Sequence, residues 1–152
     1  MRQTENMKIS YIAFNKIKEF EGLRTEAYLD AAGVPTIGYG HTGQDVHIGD
    51  RISPYWAEEL LRGDIERVER EVEQLRVART QGQLDALVSF AFNVGTERLR
   101  KSKLLREIRK RTSAAAIRRE FMRWVYAGGK RLRGLECRRR WEVERFMAPY
   151  AP

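Results

Sequence analysis

Glu21 and Asp30 lie nine residues apart within EFEGLRTEAYLDAAGVPTIGYGHT, residues 19–42, and Thr36 and His41 follow within a dozen residues of Asp30. No other stretch of the chain is as dense in groups able to move protons. Two carboxylates in different surroundings can divide acid and base work, one staying protonated while the other is ionised. Breaking a glycosidic bond uses such a pair: one protonates the leaving oxygen, and the second activates water or attacks the sugar. Glu21, at a helix end, suits the acid; Asp30, on a turn between strands, suits the base. Thr36, six residues on, suits a hydroxyl that holds the attacking water. Taken alone, two acids at this spacing read by default as ordinary solvated carboxylates, and their placement among glycines on a small sheet shifts that reading only modestly.

The elements that must position these groups can be read from periodicity. Ile12, Ala13, Ile17 and Phe20 recur at three- and four-residue steps, which predicts a helix from Ser10 to Phe20 with Gly22 as its stop. Gly33, Gly38, Gly40, Gly43 and Gly49 then punctuate short runs (AYL, TIGY, VHI), which predicts a small antiparallel sheet over residues 26–50. So small a sheet must lean on helices. Ser53-Pro54 starts the next helix. Ala57, Leu60, Leu61, Ile65, Val68, Val72 and Leu75 form its apolar stripe, and Glu58, Arg62, Glu66, Arg70 and Glu73 its solvated face. At 1.5 Å per residue it would span about 34 Å, enough to join two lobes. Gly63 inside it predicts close packing at that point.

Thr80 and Gln83 match a capping box for a helix containing LDALVSFAFNV, which is apolar nearly all round and so is expected at the centre of the larger lobe. Gly95 ends it. Helices are expected at about 102–110, 114–124 and 135–147, with Gly128-Gly129 and Gly134 as breaks, making the second half all-helical. The expected fold is therefore α+β and predominantly helical. Residues 10–52 form a first helix and sheet lobe, 53–77 an interlobe helix and 80–147 a helical lobe, within a single domain spanning 1–152.

Bulk properties narrow the function classes. A chain of 152 residues can bury about 68–70% of its unfolded surface, so a core forms without disulfides or metal. The single Cys137 makes no internal bridge, and with only His41 and His47 beside it the composition argues against a structural zinc site. No run of about 18 apolar residues exists for a transmembrane helix. MRQTENMKIS lacks the apolar core of a signal peptide. Residues 1–78 carry 10 Lys+Arg against 14 Asp+Glu, a net of −4, whereas residues 79–152 carry 19 against 7, a net of +12. That asymmetry points to an anionic partner for the second half: nucleic acid, acidic membrane or bacterial cell wall.

The stretch EG-x-R, then A-Y-x-D, then G-x-x-T-I-G-Y-G-H-T closely resembles the signature of the bacteriophage-type lysozymes, in register and without gaps. SFAFNVG and RWVYAGGKRLRGLECRRRWEVERF resemble the same family's helical lobe, so the likeness covers nearly all of residues 10–147. The resemblance implies a lysozyme-like two-lobe fold with its cleft between the lobes. Glu21 matches the family's general acid, Asp30 its second catalytic carboxylate, and Thr36 the hydroxyl that orients the nucleophilic water, with inversion at the anomeric carbon. His41 matches a histidine that pairs with an acid on the long helix, and counting along that helix gives Asp64. Arg138 falls where the family places an arginine near the acid; for Arg139 and Arg140 a solvated helix face fits equally well. Arg24 is read as support for the fold.

Phe92 and Ser102 fall at positions resembling sugar-contacting residues, although a core phenylalanine and a helix N-cap would look the same in sequence. Leu99 stands where many relatives carry Phe. Trp124, Tyr126 and Trp141 are read as core. The resemblance further implies hydrolysis of the β-1,4 bond between N-acetylmuramic acid and N-acetylglucosamine in peptidoglycan, by a monomer needing no metal or cofactor. It implies accumulation in the host cytoplasm and release through a holin-type membrane lesion, with neither nucleic acid nor stable membrane insertion involved. A basic nucleic-acid-binding module is the competing class, but no zinc-finger, helix-turn-helix or RNP signature is present. A non-catalytic wall-binding protein and a lytic transglycosylase compete as well.

Overall fold

The computed structural model describes residues 7–148. The first six residues, part of the reading of MRQTENMKIS, lie outside them. The chain folds into two compact units: a sheet unit, Phe14–Arg67, and a helical unit built from the chain on either side of it. Two helices, α1 (Tyr11–Glu21) and α2 (Pro54–Gln74), contribute residues to both.

In the sheet unit, strands β1 (Arg24–Leu29), β2 (Pro35–Gly38) and β3 (His41–Thr42) form an antiparallel sheet in that order. Tyr28 pairs with Thr36 and Leu29 with Pro35, and Thr36 also pairs with Thr42. The predicted strand over VHI is absent: residues 46–48 form no strand, and Val46 N–H instead closes a turn on the Gly43 carbonyl. An isolated bridge between Glu26 and Arg51 takes the place of that strand's pairing. Phe14, Ile17, Ile37, Val46, Ala57, Leu61 and Ile65 are buried in this unit. A Cβ on Gly38 would stand 3.3 Å from the Ala57 Cβ, so the sheet approaches α2 as closely as a bare backbone permits.

Ile12 is half exposed, and Phe14 is buried in its place along with Ala13 and Ile17. Gly63 has nothing within 4 Å of the place a Cβ would occupy, so no close packing explains it.

The helical unit contains α3 (Gln81–Val94), α4 (Thr96–Lys101), α5 (Lys103–Lys110), α6 (Ala114–Phe121) and α7 (Arg133–Met147). Thr80 caps α3 by accepting from the Gln83 N–H, while the Gln83 side chain turns back to the Arg79 N–H, one residue before the position a capping box predicts. Gly95 ends α3 at φ 103°, its N–H reaching the Ala91 carbonyl. The core is aromatic, with Phe90 edge-on to Phe121 at 5.7 Å and to Trp124 at 5.5 Å. Gly82 faces the backbone carbonyl of Arg145, where a side chain would collide, so α3 and α7 touch backbone to backbone. Asp85, fully buried, joins three segments: it accepts from the Ser10 N–H at 2.8 Å, the Ser10 hydroxyl at 2.6 Å and Arg145 Nε at 2.8 Å.

The second half is not entirely helical. Strands β4 (Tyr126–Ala127) and β5 (Lys130–Arg131) make a hairpin around Gly128-Gly129, both at positive φ. Tyr126 is exposed on it and is not core. Gly134 lies inside α7 and does not break it.

Candidate functional site

Glu21 is the last residue of α1. The helix stops there because Gly22 adopts φ 70° and returns its N–H to the Lys18 carbonyl at 2.9 Å. One turn earlier, Lys18 fixes the helix end, with its ammonium 3.3 Å from Glu58 on α2 and 5.6 Å from the centre of the Tyr39 ring. Residue 40 leaves the space that the acid fills. A Cβ there would sit 3.0 Å from Glu21 Oε2, and the backbone at φ 76° is one that glycine adopts without strain.

Asp30 organises the turn between β1 and β2. Its Oδ1 accepts the Ala32 N–H at 2.8 Å and the Val34 N–H at 2.9 Å, while its own N–H donates to the Val34 carbonyl at 3.0 Å. Two amides on one oxygen fix the carboxylate plane. Thr36 donates its hydroxyl to the same Val34 carbonyl at 2.9 Å. Val34 thus joins the two side chains, Asp30 through its N–H and Thr36 through its C=O. Thr36 is buried, at 3% exposure. Because its proton is committed to Val34, its oxygen meets a water as an acceptor.

His41 pairs with Ile37 across the sheet. Its Nδ1 lies 2.8 Å from Asp64 Oδ2 on α2, and its Nε2 3.3 Å from Asp45 Oδ2. Burial pulls the imidazole pKa down, but the Asp64 hydrogen bond and charge, aided by Asp45, outweigh it and hold the pKa above the ordinary value. The same contact lowers the Asp45 pKa. A side chain on Gly43 would collide with the Asp45 carboxylate, so glycine there admits this second acid. Arg24 lies 4.3 Å above the Tyr28 ring, a support within β1.

The remaining sequence-predicted residues, Phe92, Ser102 and Arg138, belong to the helical unit. Phe92 is half-buried on α3. Ser102 is 6% exposed and caps α5: its hydroxyl accepts from the Leu105 N–H at 3.0 Å and donates to the Leu99 carbonyl at 2.7 Å. Leu99 is core. Arg138 is buried and donates from Nη2 to the Ser89 carbonyl at 2.9 Å.

A buried polar network around Arg138 escaped the sequence reading. Glu142 and Arg139 are both fully buried, so Arg139 is no solvated surface group, while Arg140 is exposed and pairs with Glu136 at 2.7 Å. Glu142 Oε2 accepts the Ser89 hydroxyl at 2.6 Å, and Arg139 Nη2 donates to Asn93 at 2.8 Å. Arg139 Nε and Glu142 Oε1 come within 2.6 Å but out of line for a hydrogen bond, so that contact is ionic. Burial raises the Glu142 pKa against the pull of Arg139, Arg138 and Ser89. The available signal was Ser89, a hydroxyl within the apolar run ALVSFAF of α3.

The phage lysozyme family model matches residues 18–142. An endolysin of Bacillus phage B103 is 46% identical over 147 residues, covering 93% of this chain and 54% of that protein. A SAR-endolysin of Bacteriophage PS119 is 40% identical over 126 residues, covering 82% of this chain and 74% of that one. Among solved structures, the muramidase domain of SpmX from Asticaccaulis excentricus superposes with a TM-score of 0.84 at 35% identity, over 93% of this chain and 99% of that one. The chain spans about half the length of the first curated relatives it matches. With the family model and these relatives covering the sheet unit's acids and the helical unit alike, the chain belongs to the phage lysozyme family.

Proposed function

We propose that the chain is a peptidoglycan hydrolase of the endolysin type, cleaving the β-1,4 bond between N-acetylmuramic acid and N-acetylglucosamine with inversion. The observation that carries this reading is the Val34 backbone, which holds Asp30 and Thr36 to one residue while leaving each an oxygen for water. A water donating one proton toward Thr36 Oγ1 and the other toward Asp30 Oδ2 has its lone pair directed away from both, toward an anomeric carbon. As the C–O bond forms, Asp30 takes the water's proton and Glu21 gives one to the departing glycosidic oxygen. His41 and Asp64 act as a brace between sheet and α2, not as proton carriers.

The +12 half of the chain suits an anionic wall, with association weakening as salt rises. Phe92 as a sugar contact remains part of this reading. For Ser102 the capping role competes, since its hydroxyl already donates and accepts within the chain.

The route to the wall is proposed as holin-type release from the host cytoplasm. Among the described residues no helix is long and apolar enough to cross a membrane. The SAR-endolysin name of the Bacteriophage PS119 relative favours a second reading, a release route of a different kind. Lysis of expressing cells with and without a co-expressed holin separates the two.

The activity is tested by digesting purified peptidoglycan with wild type, Glu21→Gln and Asp30→Asn. New reducing ends from wild type alone are expected, with lysis of chloroform-treated Gram-negative cells to match. Anhydro ends would identify a transglycosylase, and full activity in either variant would remove the carboxylate pair from the mechanism.

A further inference from the structure

The first turn of α2 carries an exposed aromatic pair. Tyr55 is 65% and Trp56 61% exposed, and their rings meet edge to face at 5.2 Å. Tryptophan is on average well buried, so one left in solvent beside a tyrosine marks a surface with a use. Seven residues along α2 stands Gly63. Seven residues turn a helix through about 700°, within about 20° of two full turns, so Trp56 and Gly63 share a face roughly 10 Å apart. A glycine inside a helix disfavours it relative to alanine. Nothing lies within 4 Å of where its Cβ would be, so no neighbour in the sheet unit requires that glycine.

The charges beside this face are nearly balanced. Arg62 pairs with Glu58 at 3.0 Å and with Glu59 at 3.7 Å, leaving no cationic excess to attract an anionic lipid or nucleic acid. What fits is a neutral ligand with flat C–H faces for the rings and amide or hydroxyl protons for Glu59. N-acetylated hexosamines have that chemistry.

We propose that the α2 face running from Tyr55 and Trp56 to Gly63 is a second docking surface for N-acetylhexosamine strands, separate from the catalytic carboxylates. The inference rests on the reading of the chain as a hydrolase of such strands. Trp56 stacks on a sugar face, Glu59 accepts its N–H or O–H protons, and Gly63 lets the strand lie against the helix backbone. The surface holds the polymer while the acids act elsewhere in the same unit.

The test is a titration of ¹⁵N-labelled Glu21→Gln protein with the tetramer of N-acetylglucosamine, followed at the Trp56 indole and Gly63 amide. Both signals are expected to shift saturably. Trp56→Ala is expected to weaken the Gly63 titration about tenfold, the loss usual for truncating a central tryptophan. Gly63→Leu is expected to weaken the Trp56 titration similarly while raising the melting temperature, which a merely structural role would not do. With Glu21 intact, both substitutions are expected to raise KM on whole sacculi and leave kcat unchanged. Unmoved Trp56 and Gly63 signals, an effect from one substitution only, or shifts with phosphatidylglycerol vesicles but not the tetramer would overturn the proposal. Hydrolysis by wild type with both signals unmoved defeats this surface alone; shifts without hydrolysis defeat the enzyme reading alone.

Discussion

Glu21 Oε2 occupies the space beside Gly40 so closely that a Cβ there would begin 3.0 Å from it. The acid's position is therefore set from two directions, by the end of α1 and by the absence of a side chain between β2 and β3. Gly40→Ala is expected to cost about 1–2 kcal/mol for the left-handed backbone and, beyond that, to displace the carboxylate. Gly49→Ala is the control, since Gly49 is also at positive φ, 101°, but has nothing nearby. Both variants should melt earlier by similar amounts, and only Gly40→Ala should lose about tenfold or more in kcat. Equal activities would show that residue 40 does not position the acid.

Asp30 Oδ1 holds the turn through two amides, and in the proposed mechanism its other oxygen takes the water's proton. Asp30→Asn keeps a carbonyl oxygen for the Ala32 and Val34 amides, so it should melt within a few degrees of wild type. It should nevertheless lose on the order of 10²–10⁴-fold in rate for want of a base. Asp30→Ala leaves both amides without their acceptor and should lose a further ~1–2 kcal/mol of stability. Thermal melts alongside kcat separate the two tasks.

The His41 brace makes stability depend on pH. Its folded pKa is raised, so the stabilisation is fully present below the unfolded value of about 6.5 and is lost as pH rises through the folded value. Wild type should exceed His41→Asn by a few degrees at pH 5.5, at about 2–4 °C per kcal/mol for a chain of this size. The gap should narrow by pH 9, with activity at pH 5.5 little changed. A gap independent of pH would refute the ionic brace.

In the helical unit, Glu142→Gln leaves Arg138 and Arg139 buried without their carboxylate. It is expected to cost about 3–5 kcal/mol. Arg139→Met with Glu142→Leu should cost less than the sum of the two single changes, because the charges leave together. Additive losses in denaturant melts would show that the pair is not coupled.

Signals confined to a few residues were legible in the chain. Gly22, Thr80 and Gly95 set helix ends through their own backbone geometry, and the Asp30 turn forms through a side chain and amides at most four residues apart. Much of what failed depended on partners that a local pattern does not show. VHI has strand-like residues but no strand pairs with it, and Gly63 has the look of a packing glycine with nothing packed on it. Arg139 reads as surface charge until Glu142 and Asn93 close around it. The Gly128-Gly129 hairpin reads as a simple helix break because two-residue strands carry no periodicity. Among the site residues, Glu21, Asp30, Thr36, His41 and Asp64 fall in one unit. Ser102 illustrates the limit: a cap and a sugar contact call for the same hydroxyl.

In the proposed mechanism a water held between Asp30 and Thr36 attacks the sugar directly. Proton NMR of the first products from purified peptidoglycan, recorded before mutarotation, reads this most directly. Such attack inverts the anomeric centre, so the new N-acetylmuramic acid reducing end is expected first as the α-anomer. A β-anomer appearing first, or a 1,6-anhydro end, would contradict it.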